Sequence, residues 1–304
     1  MTHKRQTTTR CRIKQIKRYS LPVLKSRELE RLATTFGWTP PTQFATSTSQ
    51  ASHQPDHSSS VPSAYSTEAW HQIDDLATTS WWYSTRNDIL WQKTKALLQD
   101  SALWDIGGGS GIVARFLMAR EVDVVLIEPS AGGAEIAHHR GVPSLCATLE
   151  QLRLPDACLP AIGMFDVLEH LENREQALTE IRRVLIPGGH LLLTVPALSS
   201  LWSGFDVAAG HYVRYNKRSL GAELERHGFE IQQLGYFFAL TVLPLFAMRA
   251  IPYRLGIRKP IAEEETLGAS GGIIGRIAAV LERTLAMRTP IGSSLLVVAR
   301  KRAK

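Results

Sequence analysis

The chain has 304 residues, which is long enough to bury a sizeable core as one large domain or two small ones. Its hydrophobic content of 44% is ordinary for a soluble globular protein. The three cysteines lack metal-site spacing and argue against a disulfide framework, so no metal is expected and a cytoplasmic location is predicted. The net charge of +7 resides at the N-terminus, because residues 1–27 carry nine Lys/Arg and no acid, which leaves the remainder slightly acidic.

The first 67 residues are expected to form a disordered basic tail and linker. Residues 39–67 are rich in Ser, Thr, Pro and Gln and contain too little apolar surface to order themselves. Ordered structure is therefore expected to begin near Glu68. The basic arm leaves open a contact with nucleic acid or an anionic membrane, or an organelle transit peptide. Since the rest of the chain is slightly acidic, no nucleic-acid partner is expected.

Helical and strand-like patterns alternate along the rest of the chain. Strands alternating with helices predict a mostly parallel sheet with helices on both faces, whose ligand lies beyond the carboxyl ends of the strands. The predicted helices cover residues 86–99, 112–120, 131–139, 173–185 and 217–228. The predicted strands lie in residues 102–107, 122–129, 142–148, 160–171, 190–196, 229–237 and 293–301.

Residues 236–290 interrupt this alternation and predict a helical hydrophobic cap inserted between the last two strands. The fifteen residues from Leu234 to Met248 carry no charge, but a spanning helix needs about 20 apolar residues and Pro244 interrupts this run. Two alternatives remain: a cap buried on the domain, or a surface at 236–256 that contacts a membrane or admits a lipid-like substrate. A second helix should pack with it through Ile273, Ile277, Val280, Leu281 and Leu285.

A glycine-rich turn, Asp105-Ile-Gly-Gly-Gly-Ser-Gly111, follows the first predicted strand. Glycines allow the backbone to approach a ligand closely, and the free N–H groups of the following helix face the turn. The spacing is not the dinucleotide fingerprint, because Ile112 stands where the third glycine would be. An acid before the first glycine suits a ligand with an ammonium group better than a pyrophosphate.

Four motifs in this order resemble those of class I S-adenosylmethionine-dependent methyltransferases. They are the glycine turn, Glu128 at the end of the second strand, F-D-V-L-E-H-L at 165–171, and L-I-P-G-G-H-L-L-L-T-V-P at 185–196. Two further blocks, W-W-Y-x-x-R at 81–86 and W-S-x-x-D-x-x-x-G-H-x-x-R-Y at 202–215, are similar to those of bacterial small-molecule (type 11-like) methyltransferases. The resemblance covers residues 70–236 and implies a seven-stranded Rossmann-like sheet whose last strand is antiparallel.

The resemblance implies a site for S-adenosyl-L-methionine and a role for each matching residue. Thr148 stands where the family commonly has an acid that meets the adenine amino group. His211, with Asp206, is the candidate catalytic base pair. The expected cofactor-binding residues are Asp105, Gly107, Gly109, Gly111, Glu128, Thr148, Leu149, Phe165, Asp166 and His170. The expected substrate and lid residues are Trp82, Tyr83, Arg86, Trp202, Arg214 and Tyr215.

The predicted activity is O-methylation of a small-molecule, lipid-linked or glycan-precursor acceptor. Methylation of protein or nucleic acid, and a non-catalytic cofactor-binding protein, are the alternatives. The fold does not identify the acceptor or fix whether oxygen, nitrogen or carbon is methylated. The sequence does not indicate the oligomeric state.

Overall fold

A computed structural model describes residues 26–41, 80–257 and 272–303. Seven strands form one sheet in the order β3-β2-β1-β4-β5-β7-β6, and β7 alone runs in the direction opposite to the other six. This confirms the predicted seven-stranded, mostly parallel sheet with an antiparallel last strand. The strands are β1 Leu103–Ile106, β2 Val124–Ile127, β3 Ser144–Leu145, β4 Leu159–Phe165, β5 Leu185–Pro196, β6 Phe229–Phe237 and β7 Ser294–Lys301.

Helices cover both faces of the sheet, so the central strands are apolar on both sides, as in β2 with its sequence V-V-L-I. Buried residues of α1, α5 and α7 belong to the core on one face, and those of α2, α3 and α4 to the core on the other. These helices are α1 Arg27–Phe36, α2 Trp81–Leu98, α3 Ile112–Met118, α4 Ala131–His139, α5 Arg174–Val184 and α7 Lys217–Arg226. The short helix α6 spans Gly204–Ala208.

The expectation of disorder throughout residues 1–67 is wrong for α1, although residues 1–25 and 42–67 lie outside the described part of the chain. The Ser26 side chain accepts the first N–H groups of this helix, and Gly37 ends it in the left-handed region at φ 65°. Leu29 and Leu32 are buried against the sheet face beside β4. The connection from β3 to β4 contains only the 3₁₀ turn Glu150–Leu152, so α1 covers a face that a crossover helix would otherwise cover.

The predicted insertion is helical, but most of its described residues are not buried. It contains α8 Val242–Leu245, a π-helical turn Phe246–Ala250, α9 Ile251–Arg254 and α10 Ile273–Leu285, while residues 258–271 lie outside the description. Within residues 238–257 only Phe238 and Ala250 are buried. No described helix is long and apolar enough to cross a membrane.

The packing predicted for α10 is wrong. Its apolar residues Ile277, Val280 and Leu281 are exposed, whereas Ala279 and Glu282 face the protein. The small side chain of Ala279 lets the helix approach the protein closely, and the predicted apolar face is left in solvent. The side chains of Ile273 and Ile274 are outside the description.

Candidate cofactor and acceptor site

The glycine turn joins β1 to α3 at the edge of the sheet where the strand order reverses between β1 and β4. Gly107, Gly109 and Gly111 have φ of 68°, 55° and 78°, in the left-handed region that favours glycine. At Gly108 a Cβ atom would lie 2.7 Å from the carboxylate of Asp105. The turn therefore needs glycine for its backbone shape and for the space beside that carboxylate.

Asp105 is a buried acid below this turn, with 1% of its surface exposed. Neither of its carboxylate oxygens has a hydrogen-bond partner among the described residues. Burial raises the pKa of Asp105 to about 7, partly opposed by the guanidinium of Arg86. An orphaned buried carboxylate is costly, and a cationic ligand group beside it would relieve that cost. This fits the predicted ammonium-bearing cofactor.

Glu128 follows β2 and faces the same turn. One carboxylate oxygen accepts the N–H of Gly109 at 2.9 Å, and the other accepts the N–H of Ser130 at 2.7 Å. Burial raises the pKa of Glu128, and these two backbone hydrogen bonds oppose the rise. Each oxygen keeps a lone pair for a further donor, so the carboxylate can also accept two hydroxyl groups of a ribose.

The residues predicted to contact the adenine ring have fewer free hydrogen-bonding groups than the sequence implied. Thr148 already exchanges hydrogen bonds with Gln151: its N–H donates to the side-chain oxygen at 2.8 Å, and its hydroxyl accepts the Gln151 N–H at 3.4 Å. Leu149 is buried beside this turn. Thr148 thus caps the 3₁₀ turn, and Leu149 can offer only apolar contact.

Asp166 follows β4 with a strained φ of 59°, and its N–H donates to Thr194 in β5. Its carboxylate pairs with Arg86 of α2, whose guanidinium lies 5.1 Å from the ring centroids of both Trp82 and Tyr83. These predicted lid and cofactor residues therefore meet in one cluster. Phe165, the last residue of β4, is buried, and its ring lies over Gly163.

Asp206 is the centre of a second buried cluster, on α6. It accepts hydrogen bonds from the Ser203 N–H at 2.9 Å, from Nδ1 of His211 at 2.9 Å and from Nε of Arg214 at 2.6 Å. Burial alone would raise the pKa of Asp206, but His211 and Arg214 together outweigh burial and lower it. Asp206 thus stays ionised and holds His211 with its Nε2 directed away from the carboxylate.

His170 brings the loop after β4 to this second cluster. Its ring lies 4.7 Å from that of His211, and burial lowers the pKa of His170 to about 4. Ligand atoms of Glu169, His170 and His211 lie within 4.8 Å of one another, a spacing that a metal ion could use. Burial, and then the Asp166 carboxylate, raise the pKa of Glu169 well above its usual range, although Arg214 and Arg86 oppose the rise.

The predicted substrate residues Tyr215 and Trp202 differ in burial, and a contact between Trp82 and Phe238 was not predicted. Tyr215 is buried in the core beside the sheet, so its predicted contact with substrate is not supported, while Trp202 is half-buried after the turn Ser199–Leu201. Phe238 was not predicted. It is buried at φ 59°, and the Trp82 ring stacks on it with centroids 5.3 Å apart. Its position just after β6, inside an apolar run, gave no signal of this role.

Comparisons with known proteins agree with this architecture. Residues 104–193 match the methyltransferase-domain family. Over 201 residues the chain is 30% identical to the "Probable S-adenosylmethionine-dependent methyltransferase" of Mycolicibacterium smegmatis, covering 63% of this chain and 76% of that relative. Over 101 residues it is 32% identical to a ubiquinone/menaquinone biosynthesis C-methyltransferase of Rubrivivax gelatinosus, covering 32% of this chain and 40% of that relative.

Among solved structures, the chain resembles an S-adenosylmethionine-dependent methyltransferase of Thermotoga maritima. The TM-score is 0.51 at 20% identity, and the match covers 78% of this chain and 97% of that one. This likeness supports the fold alone. The chain belongs to the S-adenosylmethionine-dependent methyltransferases, and S-adenosyl-L-methionine is its cofactor.

Proposed function

We propose that this enzyme transfers a methyl group to an oxygen atom of a small-molecule, lipid-linked or glycan-precursor acceptor. The observation that carries this proposal is the Asp206–His211 pair beside the loop after β4. A hydroxyl group must lose its proton as it is methylated, whereas a neutral amine can attack directly. An imidazole held by a buried carboxylate is suited to take that proton.

Residues on the turns after β1, β2 and β3 would hold the cofactor. Asp105 would accept a hydrogen bond from its ammonium group, and Glu128 would accept from the ribose hydroxyls. Leu149 would lie against the adenine ring, with Thr148 at its edge. When bound, S-adenosylmethionine supplies a methyl group that is already activated, so the protein chiefly positions the acceptor and excludes water.

The aromatic residues of α2 would exclude that water. Trp82 and Tyr83 both lie against Arg86, which is anchored to Asp166, and their ring centroids are 4.9 Å apart. A lipid-linked acceptor also requires the enzyme to reach a membrane. Residues 236–256 are the candidate contact, because six of their large apolar side chains are exposed: Leu240, Leu243, Met248, Ile251, Tyr253 and Leu255.

The experiment that tests the proposal identifies the methylated atom. The full-length enzyme is incubated with S-adenosylmethionine carrying a ¹³C-labelled methyl group and with hydroxyl-bearing acceptors, including lipid-linked glycosides. Carbon NMR of the product distinguishes methyl groups on oxygen, nitrogen and carbon. We expect an O-methyl signal that is strongly reduced in His211→Asn. An N-methyl or C-methyl product would overturn the proposal.

A further inference from the structure

Exposed apolar side chains are concentrated in the helical insertion and its flanks. In α8 and the turn after α9, Leu243 is 78% exposed and Leu255 is 70% exposed. In α10, Ile277 and Val280 are 55% and 56% exposed. We call these residues and their neighbours the apolar surface. It comprises Leu240, Leu243, Met248, Ile251, Tyr253, Leu255, Ile257, Ile277, Val280, Leu281 and Ile291.

The base of this surface is fixed to the domain. The buried carboxylate of Glu282 accepts the backbone N–H groups of Ala239 at 3.0 Å and Leu240 at 2.7 Å. The hydroxyls of Thr241 and Ser293 share a hydrogen bond of 2.7 Å. The insertion is therefore held in a defined position with its apolar residues outward. A concentration of exposed apolar residues on a soluble domain indicates a site of association.

The charges among these residues favour an anionic partner. Described residues 238–257 carry Arg249 and Arg254 and no acid. Described residues 272–291 carry three arginines, of which Arg283 is paired with Asp88, and their one acid, Glu282, is buried against backbone N–H groups. Over the whole stretch 238–291 the sequence has seven Lys/Arg and four acids, three of them at 263–265, so its net charge is positive. Arg254, Arg276 and Arg288 are exposed. Apolar side chains interspersed with exposed arginines are typical of segments that lie in the interface of an anionic bilayer.

The apolar surface also adjoins the acceptor end of the site. The Arg249 guanidinium lies 4.8 Å from the ring centroid of Phe205, which directly precedes Asp206. The Arg254 guanidinium donates to the carbonyl of Ser200 at 2.8 Å, in the turn that follows β5. The same segment thus contacts the loops that carry the candidate base.

We propose that the apolar surface docks this enzyme on an anionic lipid bilayer, with α8, α9 and α10 lying in the interface. The exposed arginines Arg254, Arg276 and Arg288 contact lipid headgroups, and the leucine and isoleucine side chains enter the acyl boundary. The bilayer surface then lies next to the acceptor site. The evidence for membrane docking is the exposure of these apolar residues and the charge of the residues among them. Only its purpose, delivery of a lipid-linked acceptor, rests on the proposed function.

Vesicle flotation of the full-length protein tests the proposal. Vesicles of phosphatidylcholine alone are compared with vesicles that also contain phosphatidylglycerol. We expect binding to the anionic vesicles and at least about a tenfold loss of partitioning in the double variant Leu243→Asp/Leu255→Asp, because two leucines no longer enter the bilayer. Phe36→Asp is the control, since it places one aspartate at an exposed apolar residue of α1 and should leave binding unchanged.

Three results would overturn the proposal. One is no binding to anionic vesicles, and another is binding that the double variant leaves intact, which would assign it to the basic N-terminal residues. The third is a wild-type dimer in analytical ultracentrifugation that the double variant dissociates, which would make a second copy the occupant. Calorimetry with S-adenosylmethionine should give the same affinity for wild type and double variant, which checks that the variant is folded. The ¹³C experiment with water-soluble acceptors tests O-methylation separately, so either proposal can fail alone.

Discussion

Nη1 of Arg86 lies 2.5 Å from Oδ2 of Asp166, so this ion pair ties helix α2 to the residue that follows strand β4. Asp166 is held at a φ that disfavours residues other than glycine, and Arg86 is enclosed by the rings of Trp82 and Tyr83. Trp82 in turn stacks on Phe238 at the start of the insertion. The aromatic residues of α2 and the loop after β4 are therefore positioned by one guanidinium group.

Replacing Arg86 with Ala should weaken both folding and cofactor binding. The change leaves Asp166 without its cation, and we expect a loss of about 2 kcal/mol in the free energy of unfolding, since the pair is only partly buried. The affinity for S-adenosylmethionine should fall about tenfold as the loop loses its anchor. Urea unfolding and calorimetry measure the two effects.

Arg174→Ala is the control for this prediction. Arg174 pairs with Glu223 at 3.3 Å between α5 and α7, away from the glycine turn, and its side chain is more exposed than that of Arg86, at 29% against 7%. It should lower stability and leave cofactor affinity unchanged. If Arg86→Ala and Arg174→Ala behaved alike in calorimetry, Arg86 would have no positioning role in the site.

Asp105→Asn should separate stability from binding. Because burial raises the pKa of Asp105 to about 7, the native protein keeps a proton between about pH 4 and 7 that the unfolded chain has lost. In the wild type this group therefore lowers the free energy of unfolding as pH rises through that window, by up to about 4 kcal/mol. Asparagine removes this contribution, so the variant should be the more stable protein at pH 8.

The affinity for the cofactor should change with pH in the direction opposite to the free energy of unfolding. The ionised Asp105 carboxylate is the form that would accept the cofactor ammonium, so wild-type affinity should rise as pH increases through about 7. We expect Asp105→Asn to bind about 10- to 100-fold more weakly at pH 8, the value of one charge-assisted hydrogen bond. Calorimetry at pH 6 and pH 8 measures this, with the exposed Asp100→Asn as control. Equal affinities of wild type and Asp105→Asn at pH 8 would remove Asp105 from the site.

His211→Asn should act on the chemical step and not on cofactor binding. Without the imidazole the acceptor has no group to take its proton, so kcat should fall by about 10²- to 10⁴-fold. The Kd of S-adenosylmethionine should stay within a factor of about two. His227→Asn on the far end of α7 is the control and should change neither constant. A variant that retained a third of wild-type kcat would show that His211 is not the base.

The sheet and the cofactor turns could be predicted because their signals are local. An apolar strand, a glycine turn and a helix follow one another at Asp105, and the acid at Glu128 lies at a strand end that the topology brings to the same edge. The pairing of Asp206 with His211 could be expected because they are five positions apart across one short helix and its turn. These features depend on short stretches of sequence and on the order of the strands.

Other features depend on contacts between distant segments. Tyr215 shares a motif with His211 and Arg214, but its side chain enters the core, so a shared motif did not mean a shared cavity. Phe238 meets Trp82 across more than 150 residues of chain, for which one sequence offers no signal. Helix α10 has the period of a buried helix, yet Ala279 faces the protein and Ile277 does not.

The N-terminal helix was missed although its sequence contains both ends of a helix. Ser26 is a favourable N-cap, Gly37 is a favourable C-terminal residue, and Leu29 and Leu32 share a face. Basic residues precede this segment and a Ser/Thr/Pro-rich run follows it. The average composition of residues 1–67 therefore did not reveal the helical pattern of these ten residues. The described connection between β3 and β4 contains no α-helix, so the apolar face of the sheet there would be exposed to solvent. Helix α1 is ordered because it buries that face.

Helix α1 should therefore contribute to the stability of the whole domain. Leu32 is fully buried with Leu152, Leu154 and Cys158 near it in the same core, and the Arg31 guanidinium donates to the Cys158 carbonyl at 2.5 Å. Leu32→Ala should lower the free energy of unfolding by about 2–5 kcal/mol, the cost of a cavity in a packed core. Phe36→Ala, on the same helix but 40% exposed, should cost less than about 1 kcal/mol. Urea unfolding of both variants checks this. If α1 were a solvated tail, the two substitutions would be equally neutral, whereas an unequal pair in a single cooperative transition places α1 inside the catalytic domain.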